Sequence, residues 1–403
     1  MPHPSRLLRR LLLPIALLAC LITVLVTARP IPAQTSPRSE IRGVWITNVD
    51  SNVLFDRSRL SQMVQNLAQL NFNTLYPVVW NWGYTLYPSQ TARQVTGAAY
   101  DPRPYGLENR DALAEMIQQA HQRRMAVIPW FEFGFMVPED SALAIRHPDW
   151  LTQRQDGTQT WQEGIYPRVW LNPFKVEVQQ FIMKLILELV TEYDIDGIQF
   201  DDHFGLPTEF GYDPTTIALY QKEHQGKVPP SNPKDPAWMR WRADKITQFL
   251  RQVFEGVKAQ KNQVIVGLSP NNYTFAYNNS LQDWRSWEQR GLIEELVLQV
   301  YRSNLTSFIN ELKAPEFQAA RRHIPTGVGV LTGLRRLPVP IKQVQEQVQA
   351  VRSQGVPGVS FFFYETLWNL TKEPASSRKA GFQALFPTPV SRPDVVRNWV
   401  PPR

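Results

Sequence analysis

The chain has 403 residues, of which 43% are hydrophobic and 20% are charged. That is enough to bury the core of one large barrel domain or of two ordinary domains. Four arginines lie in the first 33 residues, which contain no acid, so the net charge of +7 falls to +3 without that segment. No basic run interleaved with aromatic residues occurs elsewhere, which argues against nucleic acid as a partner.

The first 33 residues have the features of an export signal. Arg9 and Arg10 precede an apolar run over 11–26, and Ile31-Pro32-Ala33 offers a small-residue cleavage site. The alternative is an uncleaved membrane anchor, although the run is shorter than the roughly 20 apolar residues of a spanning helix. We therefore expect a periplasmic or extracellular protein that meets the membrane only if this segment is retained.

Beyond residue 38, short apolar or aromatic runs alternate with amphipathic stretches. Predicted strands cover 41–48, 72–80, 125–133, 195–202, 263–269, 296–301, 326–331 and 356–365. Predicted helices cover 58–70, 111–123, 176–193, 243–259, 281–291, 307–322 and 341–353. Eight such strands predict an α/β fold, a single closed (β/α)8 TIM barrel over 40–370. An open doubly wound sheet shows the same alternation, but no Gly-rich phosphate loop follows the first strand.

Two loops of the predicted barrel are enlarged: 134–175 after strand three and 203–240 after strand four. Barrel active sites lie in the loops that follow the strands, and long loops there are usually functional. The Pro-rich residues 371–403 are expected to form a tail on the surface. The sequence thus directs attention to the ends of strands three and four.

Strand four ends on two adjacent acids, Asp201 and Asp202, in the stretch DIDGIQFDDHFG. Because side chains alternate along a strand, Gln199 and Asp201 should point into the barrel while Phe200 faces the helices. Close carboxylates push their pKa values apart, leaving one as base or nucleophile and the other as proton donor. The alternative is that an aspartate at a strand end caps the following loop.

Two glutamates at other strand ends are further candidates for the acid. Glu132 ends strand three among aromatic residues, where loss of hydration would raise its pKa. Neighbouring strands lie about 4.8 Å apart, so Glu132 and Asp201 could approach the ~5 Å carboxyl separation of retaining glycosidases. Glu365 ends strand eight. Each glutamate is equally compatible with a structural ion pair.

Tryptophans in and after the early strands suggest a sugar ligand, because the C–H faces of sugars stack on flat rings. Trp80, Trp82 and Trp130 are the predicted stacking residues. Packing within the barrel is the alternative, for Trp45 and also for Trp130. The predicted polar contacts to the substrate are Asn172, Gln199, His203 and Tyr301.

A metal site at Asp201-Asp202-His203 is the remaining alternative. Consecutive residues alternate in direction, whereas a catalytic metal needs about three convergent ligands, and the six histidines form no further metal motif. No metal and no other cofactor is therefore predicted.

Five motifs together resemble the glycosyl hydrolase-like 10 domain family. They are Arg42-Gly43-Val44-Trp45, Asn71-Phe72-Asn73-Thr74, HQRRMAVIPW at 121–130, Trp170-Leu171-Asn172-Pro173 and DGIQFDD at 196–202. The resemblance implies an exported bacterial barrel that hydrolyses glycosides, with peptidoglycan glycan strands as the best-supported substrate. Residues 196–201 also look like the fourth-strand motif of α-amylase-type enzymes, in which the position matching Asp201 is the nucleophile.

The sequence therefore predicts an exported glycoside hydrolase acting on peptidoglycan-type or related polysaccharide. Asp201 would be the nucleophile or would orient an acetamide, and Asp202, Glu132 or Glu365 would be the acid/base. A catalytically inactive glycan-binding barrel and an amylase-like hydrolase of α-glucans are the two alternatives.

Overall fold

The computed structural model describes residues 39–394, and within this range eight parallel strands close into a barrel. The strands are β1 (Ile41–Ile46), β2 (Thr74–Asn81), β3 in two pieces (Ala126–Val127 and Trp130–Phe131), β4 (Gly197–Asp201), β5 (Ile265–Ser269), β6 (Glu295–Gln299), β7 (Thr326–Leu331) and β8 (Gly358–Phe362). Each strand pairs with the next, and β8 pairs with β1. The predicted (β/α)8 barrel is confirmed.

Eight helices surround the barrel. They are α1 (Arg57–Gln69), α2 (Ala112–His121), α3 (Val176–Glu192), α4 (Pro236–Gln260), α5 (Trp284–Gln289), α6 (Leu305–Leu312), α7 (Ile341–Ser353) and α8 (Ala375–Leu385). Further helical segments within the described residues are Val53–Phe55, Gln90–Thr96, Ala142–Arg146, Pro148–Trp150, Pro214–Glu223, Tyr273–Ser280, Pro315–Ala320 and Tyr364–Trp368. Each of α1, α3, α4 and α7 buries one apolar face, as its sequence period predicts.

Three departures from the predicted elements have local causes. Strand β3 is interrupted by Ile128 and Pro129, because proline has no N–H to give to a sheet. Helix α4 begins at Pro236, earlier than predicted, where the side chain of Asp235 caps two backbone N–H groups. The predicted sixth helix is divided, and Pro315 begins its second piece.

The two enlarged loops are ordered by different means. The loop after β3 folds into a three-stranded antiparallel sheet of Met136–Pro138, Trp161–Glu163 and Tyr166–Trp170. The loop after β4 contains the helix Pro214–Glu223 and is fastened to α4 by the fully buried Arg242. Its guanidinium donates to the carbonyls of Thr208, Phe210 and Pro233 at 2.5–2.7 Å. Both loops therefore form fixed walls at the carboxyl ends of the strands.

The described residues 371–394 are packed against the barrel and do not form the surface tail that the sequence predicts. Helix α8 buries Phe382 against the rings of Phe72 and Phe361, and Phe386 is also fully buried. Arg392 reaches Thr74 and forms an ion pair with the buried Glu295 of β6. Phe382, Leu385 and Phe386 are the apolar residues that pack against the barrel. The high proline content of this part of the chain led to the prediction of a surface tail.

Neither end of the chain lies within the described residues. The predicted export signal and the last nine residues lie outside the described range of 39–394. Among the helices within that range, none has the length and apolar character needed to cross a membrane. The remaining strands Tyr84–Thr85, Gly333–Leu334 and Leu337–Pro338 form short hairpin pairings beside the barrel mouth.

Candidate active site

A cavity of about 560 Å3 opens at the carboxyl ends of the strands. Its walls come from β1, β3, β4, β6 and β8 and from the loops after β3, β4 and β5. Six of the predicted site residues line the cavity: Trp130, Glu132, Asp201, Asp202, His203 and Tyr301. The volume falls within the range of roughly 300–1,000 Å3 that is usual for small-molecule sites.

The alternation along β4 places Asp201 as predicted. Phe200 packs outward against Phe131 and Phe204, while Gln199 accepts a hydrogen bond inside the barrel from the indole of Trp45 at 2.8 Å. Asp201 lies one layer above Gln199 and is only 4% exposed. The doublet therefore begins inside the barrel mouth and continues into the loop.

Both carboxylate oxygens of Asp201 accept hydrogen bonds. The indole Nε1 of Trp130 donates to Oδ2 at 2.5 Å, and Nε2 of Gln299 donates to Oδ1 at 2.8 Å. The backbone N–H of Asp202 also reaches Oδ1, at 2.6 Å. These three donors hold the carboxylate in one orientation.

Asp202 is more accessible and has different partners. Its Oδ2 accepts a hydrogen bond from Nδ2 of Asn271 at 2.6 Å, and its Oδ1 lies 3.4 Å from Nδ1 of His203. The same imidazole nitrogen lies 3.0 Å from the backbone oxygen of Glu132. Asp202 therefore lines the cavity, and its carboxylate lies beside the amide of Asn271 and the imidazole of His203.

The two aspartates differ in their affinity for a proton. Burial, followed by the charge of Asp202, raises the pKa of Asp201 well above its ordinary value. Burial acts on Asp202 in the same direction, but it is outweighed by His203 and by hydrogen bonds from Asp201 and Asn271, which lower the pKa of Asp202. Of the two aspartates, Asp202 therefore loses its proton more readily than Asp201.

Glu132 lies beside the doublet, because β3 and β4 pair with Trp130 opposite Gln199 and Phe131 opposite Phe200. Its Oε2 accepts a hydrogen bond from Nδ2 of Asn81 at 2.7 Å. Burial, and then the charges of Glu163 and Asp202, raise the pKa of Glu132 to about 8, while Arg168 opposes the shift. Glu132 is therefore protonated at neutral pH and can act as an acid.

Flat side chains surround these carboxyl groups. Trp45, Trp130 and Phe362 contact one another inside the mouth with ring centroids 6.3–6.4 Å apart. The ring of Tyr301 lies 5.6 Å from that of Phe362. Burial, and then the charge of Asp201, raises the pKa of the Tyr301 phenol well above its usual range. Tyr301 therefore faces the acidic groups as a neutral hydroxyl.

Several predicted residues lie away from the cavity. Glu365 lies in the helix Tyr364–Trp368 and accepts hydrogen bonds from Ser51 and Asn369. Gln199 is buried beneath Asp201. Trp80 is fully buried, with its indole bonded to the carbonyl of Gly134. Neither Glu365 nor Trp80 lines the site, because Glu365 is bonded within the loops after β1 and β8 and the Trp80 ring packs against Phe181 of α3.

Trp82 and Asn172 also have structural partners. The guanidinium of Arg103 lies over the Trp82 ring, 4.8 Å from its centroid. Asn172 is buried, and its Nδ2 donates to Asp213 and Thr216, fastening the loop after β3 to the loop after β4. Asn172 therefore holds two loops together and does not line the cavity.

The structure adds residues to the site that the sequence analysis did not single out. Gln299 and Asn271 are the amide partners of Asp201 and Asp202. Glu163, Trp161 and Phe275 line the outer cavity from the enlarged loop and from the loop after β5. The signal for Gln299 was a polar residue ending the apolar strand ELVLQ at an inward position. Glu163, Trp161 and Phe275 lie in loops, where periodicity gives no direction.

The side chains of Asp201, Asp202 and His203 lie closer together than strict alternation along a strand predicts. Each offers one ligand atom, and these atoms lie within 4.8 Å of one another. The strand ends at Asp201, so the two following residues turn with the loop and are not bound to alternate. Three N–H donors already engage Asp201, which leaves its oxygens better suited to orienting groups than to ligating a cation.

The comparison with known families agrees with this geometry. The profile of the glycosyl hydrolase-like 10 family matches residues 40–350, which is most of the barrel.

The chain belongs to the glycosyl hydrolase-like 10 family.

Curated relatives are similar over much of their length. Glycosyl hydrolase DigH of Escherichia coli K12 is 24% identical over 67% of this chain and 67% of its own length. Glycosyl hydrolase YngK of Bacillus subtilis is 26% identical over 71% of this chain, which spans 59% of that protein. The family predicted from the motifs is confirmed, and the predicted enzyme class, a glycoside hydrolase, is the class of this glycosyl hydrolase-like family.

Solved structures share the fold. The glycoside hydrolase domain of PgaB (BpsB) from Bordetella bronchiseptica superposes with a TM-score of 0.63 at 14% identity, covering 86% of this chain and 99% of the domain. The catalytic domain of a β-amylase from Paenibacillus polymyxa superposes at 0.57 and 9% identity, covering 87% and 98%. The glycosyl hydrolase-like 10 chain thus has the barrel found in glycoside hydrolases.

Proposed function

We propose that this protein is an exported hydrolase of bacterial cell-wall glycans, with peptidoglycan-type strands as the substrate. The proposal of hydrolysis rests on the carboxyl groups of the cavity. The proposals of substrate and export rest on the family resemblance and on the signal-like residues 1–33. The periplasm or the cell exterior is the compartment where such a substrate occurs.

The observation that carries the chemistry is that one protonated and one ionised carboxyl group border the same cavity. Glu132 has a pKa of about 8 and is protonated at neutral pH, whereas the pKa of Asp202 is lowered and its carboxylate is charged. A glycosidase needs one acid for the leaving oxygen and one carboxylate for the developing positive charge at the anomeric carbon. Both groups border the same 560 Å3 space.

The roles follow from this division. Glu132 gives its proton to the glycosidic oxygen as the C–O bond breaks, so that the leaving sugar departs as a neutral alcohol. Asp202 stabilises the anomeric carbon, directly or through the acetamide of an N-acetylated sugar. Water then adds to that carbon, and its proton returns to Glu132. Asp201 keeps Asp202 charged and oriented, and Trp130 and Gln299 hold Asp201.

The test is to incubate the purified full-length chain with peptide-stripped peptidoglycan strands and with an α-glucan, and to read the products by mass. We expect new reducing ends from the peptidoglycan strands alone. Cleavage of the α-glucan alone would replace the substrate proposal with an amylase-like one. Binding to glycan with no product from any substrate would show an inactive glycan-binding barrel.

A further inference from the structure

Two aromatic side chains on the outer rim of the cavity have no part in the chemistry proposed above. Phe275 is 50% exposed, and Trp161 is partly exposed, although both line the cavity. Their loops follow β5 and β3, and the strand order β3–β4–β5 places the doublet between them. Large apolar rings that border a polar cavity keep an unfavourable contact with water unless a ligand covers them.

Phe275 is held in place by the same loop that contacts the doublet. The side chain of Asn272 accepts the backbone N–H of Phe275 at 3.0 Å and so begins the helix Tyr273–Ser280. The residue before this cap, Asn271, donates to Asp202 at 2.6 Å. Because one short loop carries both contacts, the backbone of Phe275 keeps a fixed position relative to Asp202 and places the ring at the rim of the cavity.

Trp161 is held from the opposite side. It contacts the ring of Trp170 edge-on, with centroids 5.6 Å apart, and it pairs with Arg168 across the hairpin. The indole of Trp170 in turn donates to the carbonyl of Gly205, close after the doublet. The Trp161 ring is therefore fastened to the loop after β4 as well as to its own hairpin.

A second, more open cavity of about 470 Å3 lies beside the first, and Glu209 borders both. Arg154 donates to Glu209 at 2.6 Å, and Tyr212 and Pro233 form part of the far wall. A binding surface that extends beyond the doublet suits a polymer better than a single sugar.

We propose that Trp161 and Phe275 are stacking platforms for sugar units of a polysaccharide that lies across the doublet, one on each side of the bond to be cleaved. This inference rests on the proposed function and specifies a polymeric substrate cut within its length. Pyranose rings present an apolar C–H face to each platform, while their hydroxyl edges stay in water. The platforms add affinity for the chain and leave the acid–base groups untouched.

The experiment measures binding separately from cleavage. The full-length Asp202→Asn variant, which retains the platforms, is sedimented with insoluble chitin and with intact, cross-linked peptidoglycan. Trp161→Ala and Phe275→Ala are then added singly to that background. We expect each to weaken binding about fivefold to tenfold, and Phe275→Trp to preserve it.

Tyr105→Ala is the matched control, because Tyr105 is 90% exposed and does not border the cavity. The platform proposal is wrong if Trp161→Ala and Phe275→Ala bind as tightly as this control. Cleavage by the parent enzyme would still stand in that case, so the two proposals fail separately. If the parent binds neither polysaccharide, the platforms have no ligand and the inference also falls.

Discussion

At the scale of single residues, the site depends on three carboxyl groups that share one low-hydration space and hold different charges. Asp202 is charged, Asp201 keeps a raised pKa behind it, and Glu132 stays protonated up to about pH 8. Burial acts on all three in the same direction, so hydrogen bonds and neighbouring charges decide which of them ionises. This division of roles gives predictions for Glu132.

Glu132→Gln should abolish cleavage of natural glycans while sparing substrates that need no acid. The amide keeps the oxygen that accepts from Asn81 but cannot give a proton. With a natural substrate we expect a loss of about 10²–10⁴-fold in kcat. With an aryl glycoside that has a strongly acidic phenol as leaving group, the loss should be much smaller. Equal losses on both substrates, measured by steady-state kinetics, would remove Glu132 from the acid's role.

The pH dependence of stability should also reveal Glu132. Its pKa is about 8 in the folded chain against an ordinary 4.5, so the folded state binds more protons than the unfolded state between these values. Stability therefore falls as pH rises from about 4.5 to about 8 and changes no further above that. Glu132→Gln removes this loss, so its Tm should exceed the parent's by roughly a few degrees at pH 8 and not at pH 4.5. A constant difference across this range, measured by thermal unfolding, would contradict the raised pKa.

The residue scale also shows what a sequence can and cannot reveal about a site. The inward direction of Asp201 and the neighbouring position of Glu132 follow from strand alternation and strand order. Glu365 and Trp80 were candidates by the same reasoning, but Glu365 lies in the helix after β8 and bonds to Ser51, while Trp80 packs on Phe181 of α3 and bonds to the loop at Gly134. Whether a side chain at a strand end reaches solvent depends on the loops above it, and these have no periodic pattern.

At the scale of elements, the loops after β3 and β4 build most of the cavity wall, and one buried cation holds the second of them. Arg242 on α4 has no acid among the partners of its guanidinium, which donates to backbone carbonyls of residues 208–233 and to that of Trp238 at 3.4 Å. Burial lowers the pKa of Arg242 to about 9. The loop residues 207–209 that line the cavity are therefore held from below by α4.

Arg242→Met should loosen this loop. Three closely bonded carbonyls lose their donor in a buried place, so we expect a cost of about 2–4 kcal/mol in the free energy of unfolding. Urea unfolding gives that value, and limited proteolysis should show new cleavage within 203–235. Arg251→Met, at an exposed position of the same helix, should stay within about 0.5 kcal/mol of the parent. Unchanged protease resistance in Arg242→Met would show that the loop holds itself.

The elements themselves were the most predictable level. All eight strands were predicted with an overlap, and β7 and α7 with identical bounds, because buried parallel strands and amphipathic helices have distinct periods. The hairpin Trp161–Glu163 with Tyr166–Trp170 was not predicted. Trp161–Glu163 is only partly buried, and the first two residues of Tyr166–Trp170 are both exposed, so neither strand shows the regular alternation of apolar and polar residues that marks a half-buried strand.

At the scale of the whole molecule, the barrel depends on the chain that follows its last strand. Helix α8 covers Phe72 and Phe361 with Phe382, and Arg392 neutralises the buried Glu295 near the amino ends of the strands. The active site lies at the opposite ends of those strands. Stability and catalysis are thus assigned to different faces, as is usual for this fold.

Phe382→Ala should therefore lower stability without a direct effect on the site. Removing a fully buried ring costs about 3–5 kcal/mol, and KM should stay near the parent's value at temperatures where the variant is folded. The exposed neighbour Gln383→Ala is the control and should unfold like the parent. Stability equal to that control, measured by chemical denaturation, would return residues 371–394 to the role of a surface tail.

Cleavage of glycosidic bonds by the Asp201–Asp202 doublet is the proposal on which the other roles depend. The most direct measurement is the mass spectrum of products from peptide-stripped peptidoglycan strands treated with the parent chain, Asp201→Asn and Asp202→Asn, each first shown to be folded. We expect shortened strands with new reducing ends from the parent and at least about 10²-fold fewer from either variant. Undiminished cleavage by both variants would contradict it.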